Sequence, residues 1–171
     1  MTNQTTEVSV REFTPGDESS FRKLNEAWIT RYFALEPKDE IIFADPQSSI
    51  LDMGGRIFFA VSQGEVVGCC ALVAIGPGEF ELAKMAVSES HQRAGIGRLL
   101  LQNIIVEART SGAKRLYLET NRALTPAIKL YQSLGFRQLP PERVIASPYA
   151  RADVFMELTF QPGYKAREIG W

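Results

Sequence analysis

The chain has 171 residues, 19 Lys and Arg against 20 Asp and Glu, a formal net charge of −1 and 45% hydrophobic residues. That length suits one domain spanning 1–171 with a core of its own, and the apolar fraction excludes disorder as the global state. The near-neutral charge argues against nucleic acid or an anionic membrane as partner, and the longest apolar run, Cys69 to Ile75, is far short of the ~18 residues of a membrane-spanning helix.

In chain order, Met1 to Val10 has neither a basic segment nor an apolar stretch, so no secretory signal is expected. Val8 to Phe13 alternates and predicts a strand. After the Pro15-Gly16-Asp17 turn, Glu18 to Phe33 predicts a helix with Phe21, Leu24, Trp28 and Tyr32 along one face. Glu36 to Gly55 reads as a loop around a short helix, Gln47 to Met53. Arg56 to Gln63 and Val66 to Ile75 predict a hairpin closed by Gly64-Glu65, and Glu79 to Val87 a third strand.

Ile96 to Thr110 predicts a helix that ends before Gly112. Arg115 to Glu119 predicts a strand. Thr125-Pro126, as N-cap and first-turn proline, opens a helix to Leu134. Phe136 to Leu139 and Val154 to Phe160 predict the last strands, around a loop from Pro140 to Asp153. The strand–helix–strand unit from Glu79 to Glu119 needs a crossover, so its two strands should be parallel neighbours. The expected fold is α/β (α+β): one mixed, mostly antiparallel sheet of about six or seven strands with helices on both faces. The final strand and the tail to Trp171 are compatible with a homodimer.

Cys69 and Cys70 are adjacent in an apolar strand. Alternation sends their side chains to opposite faces, so they read as buried free thiols of a cytoplasmic protein. With one histidine, His91, and no CxxC or HxxxH spacing, no metal is expected. An imidazole is chemically attractive, but the place of His91 before a glycine-rich loop suggests an exposed residue.

That loop is Gln92-Arg93-Ala94-Gly95-Ile96-Gly97-Arg98, between a strand and a helix. Its glycines permit close backbone approach and positive φ, and the helix that follows leaves its first N–H groups without partners. Arg93 and Arg98 add charge, so a phosphate or pyrophosphate is a natural occupant. A plain glycine-rich turn opening a helix fits the glycines equally. A P-loop is excluded by the missing Lys-Ser/Thr. A dinucleotide fingerprint is disfavoured because Leu100 stands where its third glycine would be.

The pattern Gln92-x-x-Gly95-x-Gly97 resembles the pyrophosphate loop of the GNAT superfamily of acyl-CoA-dependent N-acyltransferases. Glu81-Leu82-Ala83-Lys84-Met85-Ala86-Val87 resembles the family's preceding strand. Ala127-x-x-Leu130-Tyr131-x-x-x-Gly135-Phe136 resembles its late helix. The resemblance covers roughly residues 58–158. It divides the domain into an acceptor-side part (8–55), a core with the coenzyme loop (56–121) and a C-terminal part (122–171).

The resemblance implies transfer of an acetyl group from acetyl-CoA to a primary amine of a small molecule or peptide, by direct attack in a ternary complex. The pantetheine arm would lie between two splayed parallel strands, bonded by backbone near Met85, Ala86 and Val87. Gln92, Arg93, Ala94, Gly95, Ile96, Gly97 and Arg98 would hold the pyrophosphate. Asn121 and Ala127 would also touch the coenzyme. Tyr131 would be the general acid for the leaving thiolate, and its helical spacing turns it inward; a core aromatic is the plainer alternative.

Glu81 resembles the glutamate that serves some members as base, with Glu119 a weaker candidate. Lys84, at odd offset from Glu81, should face the other way unless a bulge intervenes. Trp28, Tyr32, Phe33 and Glu36 form an aromatic-acidic group suited to an ammonium, and Tyr149 and Arg151 could line the acceptor mouth. A non-catalytic acyl-CoA-binding or sensing module is the alternative reading.

Overall fold

The computed structural model describes residues 7–160. Among these, seven strands make one sheet: β1 (Val8–Glu12), β2 (Arg56–Ser62), β3 (Glu65–Gly76), β4 (Glu79–Val87), β5 (Arg115–Thr120), β6 (Arg137–Gln138) and β7 (Val154–Thr159). Their order across the sheet is β1-β2-β3-β4-β5-β7-β6. Only β4 and β5 are parallel neighbours; the other adjacent pairs are antiparallel. The helices are α1 (Glu18–Tyr32), α2 (Pro37–Ala44), α3 (Ile96–Thr110) and α4 (Thr125–Ser133).

Period-two alternation divides the core into two layers. Ile57, Phe59, Cys69 and Ala71 pack with Phe21 and Ile29 of α1 and with Ile42 and Phe43 of α2. Phe58, Ala60, Cys70 and Leu72 pack with Leu100, Leu101 and Ile104 of α3 and with Tyr131 of α4. The two cysteines accordingly face opposite layers, and both are free and buried. Burial pushes the Cys69 thiol up to about 12, and Cys70 rises for the same reason.

Two irregularities in β4 shape everything that follows. Opposite Cys69 stands Ala86 and opposite Ala71 stands Ala83, so Lys84 and Met85 together face the single residue Cys70. This two-against-one bulge puts Lys84 at a left-handed φ of +52° and reverses the facing of the strand beyond it. Leu82 therefore packs toward α3, whereas Ala86, an even number of residues on, packs toward α1. The second irregularity lies on the other edge. β4 and β5 pair only over Glu79↔Arg115, Phe80↔Leu116 and Glu81↔Tyr117, and then separate.

Several expectations need correction. Residues 37–44 form α2 rather than loop. Its start signals are present but use uncommon residues: Glu36 is the N-cap, Pro37 the first helical residue, and Glu36 and Asp39 form a reciprocal capping box. The short helix near Gln47 is one π-helical turn, Gln47–Leu51. Thr125 is the first helical residue of α4 and not its cap; Leu124 holds that place without a side-chain bond. The strand expected over Phe136 to Leu139 pairs only at Arg137–Gln138. The tail to Trp171 lies outside the described residues. No helix among them is long and apolar enough to cross a membrane.

Candidate active site

Where β4 and β5 part, a cleft of about 250 Å³ opens. Leu82 to Val87 of β4 form one wall and Glu119 to Asn121 the other, with α1, α4 and the loop 149–152 completing it. Of the residues singled out from sequence, Trp28, Tyr32, Glu81, Met85, Ala86, Val87, Gln92, Asn121, Ala127, Tyr131, Tyr149 and Arg151 line this space, as does Phe33. The segment from Arg93 to Arg98 lies outside its lining, at the start of α3. Glu36 is tied to the cleft through Arg151, to which it accepts a bond of 3.0 Å.

The start of α3 is built as an open donor site. Gly95, its N-cap, has φ +77°, and no side chain caps the helix. The N–H groups of residues 96–98 lack intrahelical acceptors because of their position, and the helix dipole adds partial positive charge there. Nothing lies within 4 Å of where a Gly95 Cβ would be, so its backbone conformation, not crowding, asks for glycine. A Cβ on Gly97 would lie 3.1 Å from the Met85 methyl, so the helix start sits close against β4. The Ile96 side chain is buried in the core, leaving only its backbone to serve a ligand. Arg98 donates to Ser133 Oγ at 3.0 Å, and Gln92 to the Val87 carbonyl at 3.4 Å. His91 Nδ1 lies 2.8 Å from Ser88 Oγ and 2.9 Å from Ser90 Oγ, which satisfies it locally.

Tyr131 is buried, and its hydroxyl makes one weak contact, to Met85 Sδ at 3.9 Å. Burial keeps this phenol protonated well above its usual range. Glu81, opposite Tyr117 at the last shared register pair, has its carboxyl raised to about 7, first by burial and then by the nearby charge of Glu119. Glu119 itself accepts from Ser147 Oγ at 2.5 Å and from the Tyr117 hydroxyl at 3.1 Å.

A third group was not foreseen. Asp39 of α2 is fully buried and holds both cations of the cleft. Lys84 Nζ donates to Asp39 Oδ1 at 2.5 Å and to the Tyr149 hydroxyl at 2.9 Å. Arg151 donates to both Asp39 oxygens, at 2.7 and 2.8 Å. Both cations lie 4.5 Å from the centre of the Tyr149 ring. The bulge is what delivers Lys84 here, on the face that Glu81 also occupies. Asn121 donates to the Arg151 carbonyl at 2.7 Å and accepts from Ala123 N–H at 2.8 Å, so it fixes the incoming loop.

Residues 18–136 match the family model described as acetyltransferase (GNAT) family. The chain belongs to the GNAT acetyltransferase family. A Bacillus subtilis relative described as uncharacterized N-acetyltransferase YsnE is 40% identical over 87 residues, covering 49% of this chain and 58% of that one. The chain spans somewhat more than half the length of the curated relatives it matches. Among solved structures, a GNAT acetyltransferase from Staphylococcus aureus Mu50 superposes with a TM-score of 0.82 at 17% identity, covering 91% of this chain and all of that one. A Bacillus subtilis acetyltransferase in complex with CoA does so with a TM-score of 0.68 at 20% identity, again over 91% of this chain and 100% of its own. Both share the fold described above.

In this GNAT protein the Asp39 cluster should also govern acid stability. Burial works against the Asp39 charge, but the bonds from Arg151 and Lys84 outweigh it and hold the carboxyl at about 2, below its ordinary 3.8. A carboxyl lowered on folding stabilises above its unfolded value, by about 2 kcal/mol here, and loses that contribution as pH falls from near 4 toward 2. Asp39→Ala, which strands the buried Lys84 ammonium and takes the two-oxygen partner from the half-buried Arg151, should cost about 3–5 kcal/mol at pH 7 in urea unfolding. The difference from wild type should shrink as the pH is taken toward 2.

Proposed function

We propose that the protein is an acetyl-CoA-dependent N-acetyltransferase that acetylates a primary amine of a small molecule or peptide within a ternary complex. The observation that carries this reading is the opening of β4 from β5 directly beside the uncapped, Gly95-started helix α3. A strand edge without a partner can bond an extended amide-bearing arm, and a helix N-terminus can bond a diphosphate. Coenzyme A has both parts in that order. Membership of the family and the CoA complex of a structural neighbour support the same assignment. When bound, acetyl-CoA supplies the activated acyl group.

The chain's own residues then have distinct tasks. The β4 edge at Met85, Ala86 and Val87 would hold the arm, and an N–H there would polarise the thioester carbonyl. Gln92 to Arg98 would hold the diphosphate. Glu81 would take a proton from the acceptor ammonium, freeing the lone pair that forms the C–N bond. As the C–S bond breaks, the Tyr131 hydroxyl would give its proton to the sulfur, the second proton lost from the amine nitrogen would restore the phenol, and free CoA thiol leaves. A carboxyl near pKa 7 suits a base at neutral pH, and a phenol that burial keeps protonated has a proton to give.

Three measurements test this. Isothermal titration with acetyl-CoA should give specific binding to wild type and at least a tenfold weaker affinity for Gly95→Glu, which strains the cap and sets a carboxylate against the anion site. Equal affinities would remove the loop assignment. Tyr131→Phe should bind acetyl-CoA as wild type does but turn over ~10²-fold more slowly; an unchanged rate would remove the acid role. In a pH series of kcat/KM, activity should rise as Glu81 deprotonates through about pH 7. That limb should vanish in Glu81→Gln together with ~10²-fold in rate. A non-catalytic acyl-CoA-binding module would show the binding and release no thiol with any amine.

A further inference from the structure

The hydrogen-bond account of Arg151 is incomplete in an informative way. Its Nη1 donates to Asp39 Oδ2 at 2.7 Å, to Glu36 Oε2 at 3.0 Å and to the Ala34 carbonyl at 3.5 Å. Its Nη2 donates to Asp39 Oδ1 at 2.8 Å. A guanidinium has five N–H donors. The Nε hydrogen and the second Nη2 hydrogen find no acceptor among the described residues. They form one edge of the planar group, the edge that takes a carboxylate in two parallel bonds. No fully buried side-chain nitrogen or oxygen among the described residues lacks a partner, so the Nε–H faces open space. The cleft is open space that Arg151 lines.

Two neighbours repeat the pattern. The Tyr149 hydroxyl accepts from Lys84, which leaves its own proton to donate. Lys84 spends two of its three ammonium hydrogens, on Asp39 and Tyr149. Asp39 and Glu36 hold this group of donors in place and balance its charge without filling the free edge. The same cleft carries Glu81 and Glu119, whose carboxylates suit a cation. One site thus offers carboxylate acceptors and a carboxylate-shaped donor fork.

We infer that the acceptor is an amine that also bears a carboxylate, an amino acid in the broad sense, with its carboxylate on the Arg151 fork and the Tyr149 hydroxyl and its ammonium at Glu81. This rests on the acetyl-transfer reading and narrows it. An acceptor with a second cation would instead place that charge against Arg151 and Lys84, which costs binding. Arginine at this position is not interchangeable with lysine, because only its planar fork can bond two carboxylate oxygens at once.

The test is thiol release from acetyl-CoA with matched pairs: amino acids of increasing amine-to-carboxylate separation, each beside its own amide. At the fitting separation, kcat/KM should favour the acid roughly a hundredfold, the scale of losing a bidentate charged contact. The amide has the less basic amine and more of it neutral at pH 7, so intrinsic reactivity runs against this preference. Arg151→Lys and Tyr149→Phe should each compress the ratio about tenfold or more while acetyl-CoA affinity, measured by titration, holds. Amides or decarboxylated amines that match or beat every acid would overturn the inference and leave acetyl transfer standing. Binding of acetyl-CoA with no thiol released from any amine would overturn both.

Discussion

β4 cannot pair on both edges along its whole length, and most of the functional architecture follows from that. It stays with β3 to its end but leaves β5 after the Glu81–Tyr117 pair. From Leu82 onward one edge has no strand beside it, and an unpaired edge must be bonded by water, by ligand or by another chain. Enclosure by α1, α4 and the 149–152 loop makes a cleft out of that edge. The bulge at Lys84 adds a second effect on the same strand. It turns Met85 and Val87 toward the α3 layer and brings Lys84 onto the face of Glu81. A regular strand would have kept Glu81 and Lys84 apart.

The charged cluster at Asp39 joins three segments distant in sequence: α2, the bulge of β4 and the loop before β7. Burying one anion against two cations is unfavourable unless each lone pair is used, and here they are. Asp39 accepts from Lys84, from both Arg151 nitrogens and from the Glu36 backbone N–H. Such clusters add less net stability than their short distances suggest. Their effect is positional: Arg151 and Tyr149 belong to a segment with little regular structure, and they gain fixed orientations from a residue on a helix.

Much of the fold was legible because its signals are local. Alternation marked the strands, the Gly64 turn marked the hairpin, and the crossover rule required the parallel pair. Helix α3 was legible to its end residues from Gly95 and Gly112. The region 36–46 was not, because a Glu–Asp capping box is rarer than a serine or threonine one, and Asp39 carries no local signal of its own. Its role depends on Lys84 and Arg151, 45 and 112 residues away, and no periodicity reports such pairs. Lys84 was readable only as a question of parity, which the bulge answers. Trp28, Tyr32 and Phe33 line one cleft, but Glu36 meets a guanidinium of the same chain, which no composition argument foretells.

The placement of the two cysteines has a practical side. Each thiol is sealed in a different layer of the core, and burial holds both in the unreactive protonated form. The folded protein should therefore be silent toward disulfide dyes and maleimides, and on the acetyl-transfer reading proposed above, colour developing in a sulfhydryl assay would come from released coenzyme alone. Labelling of either cysteine would instead report that a face of the sheet has come away, making the pair a built-in gauge of unfolding layer by layer.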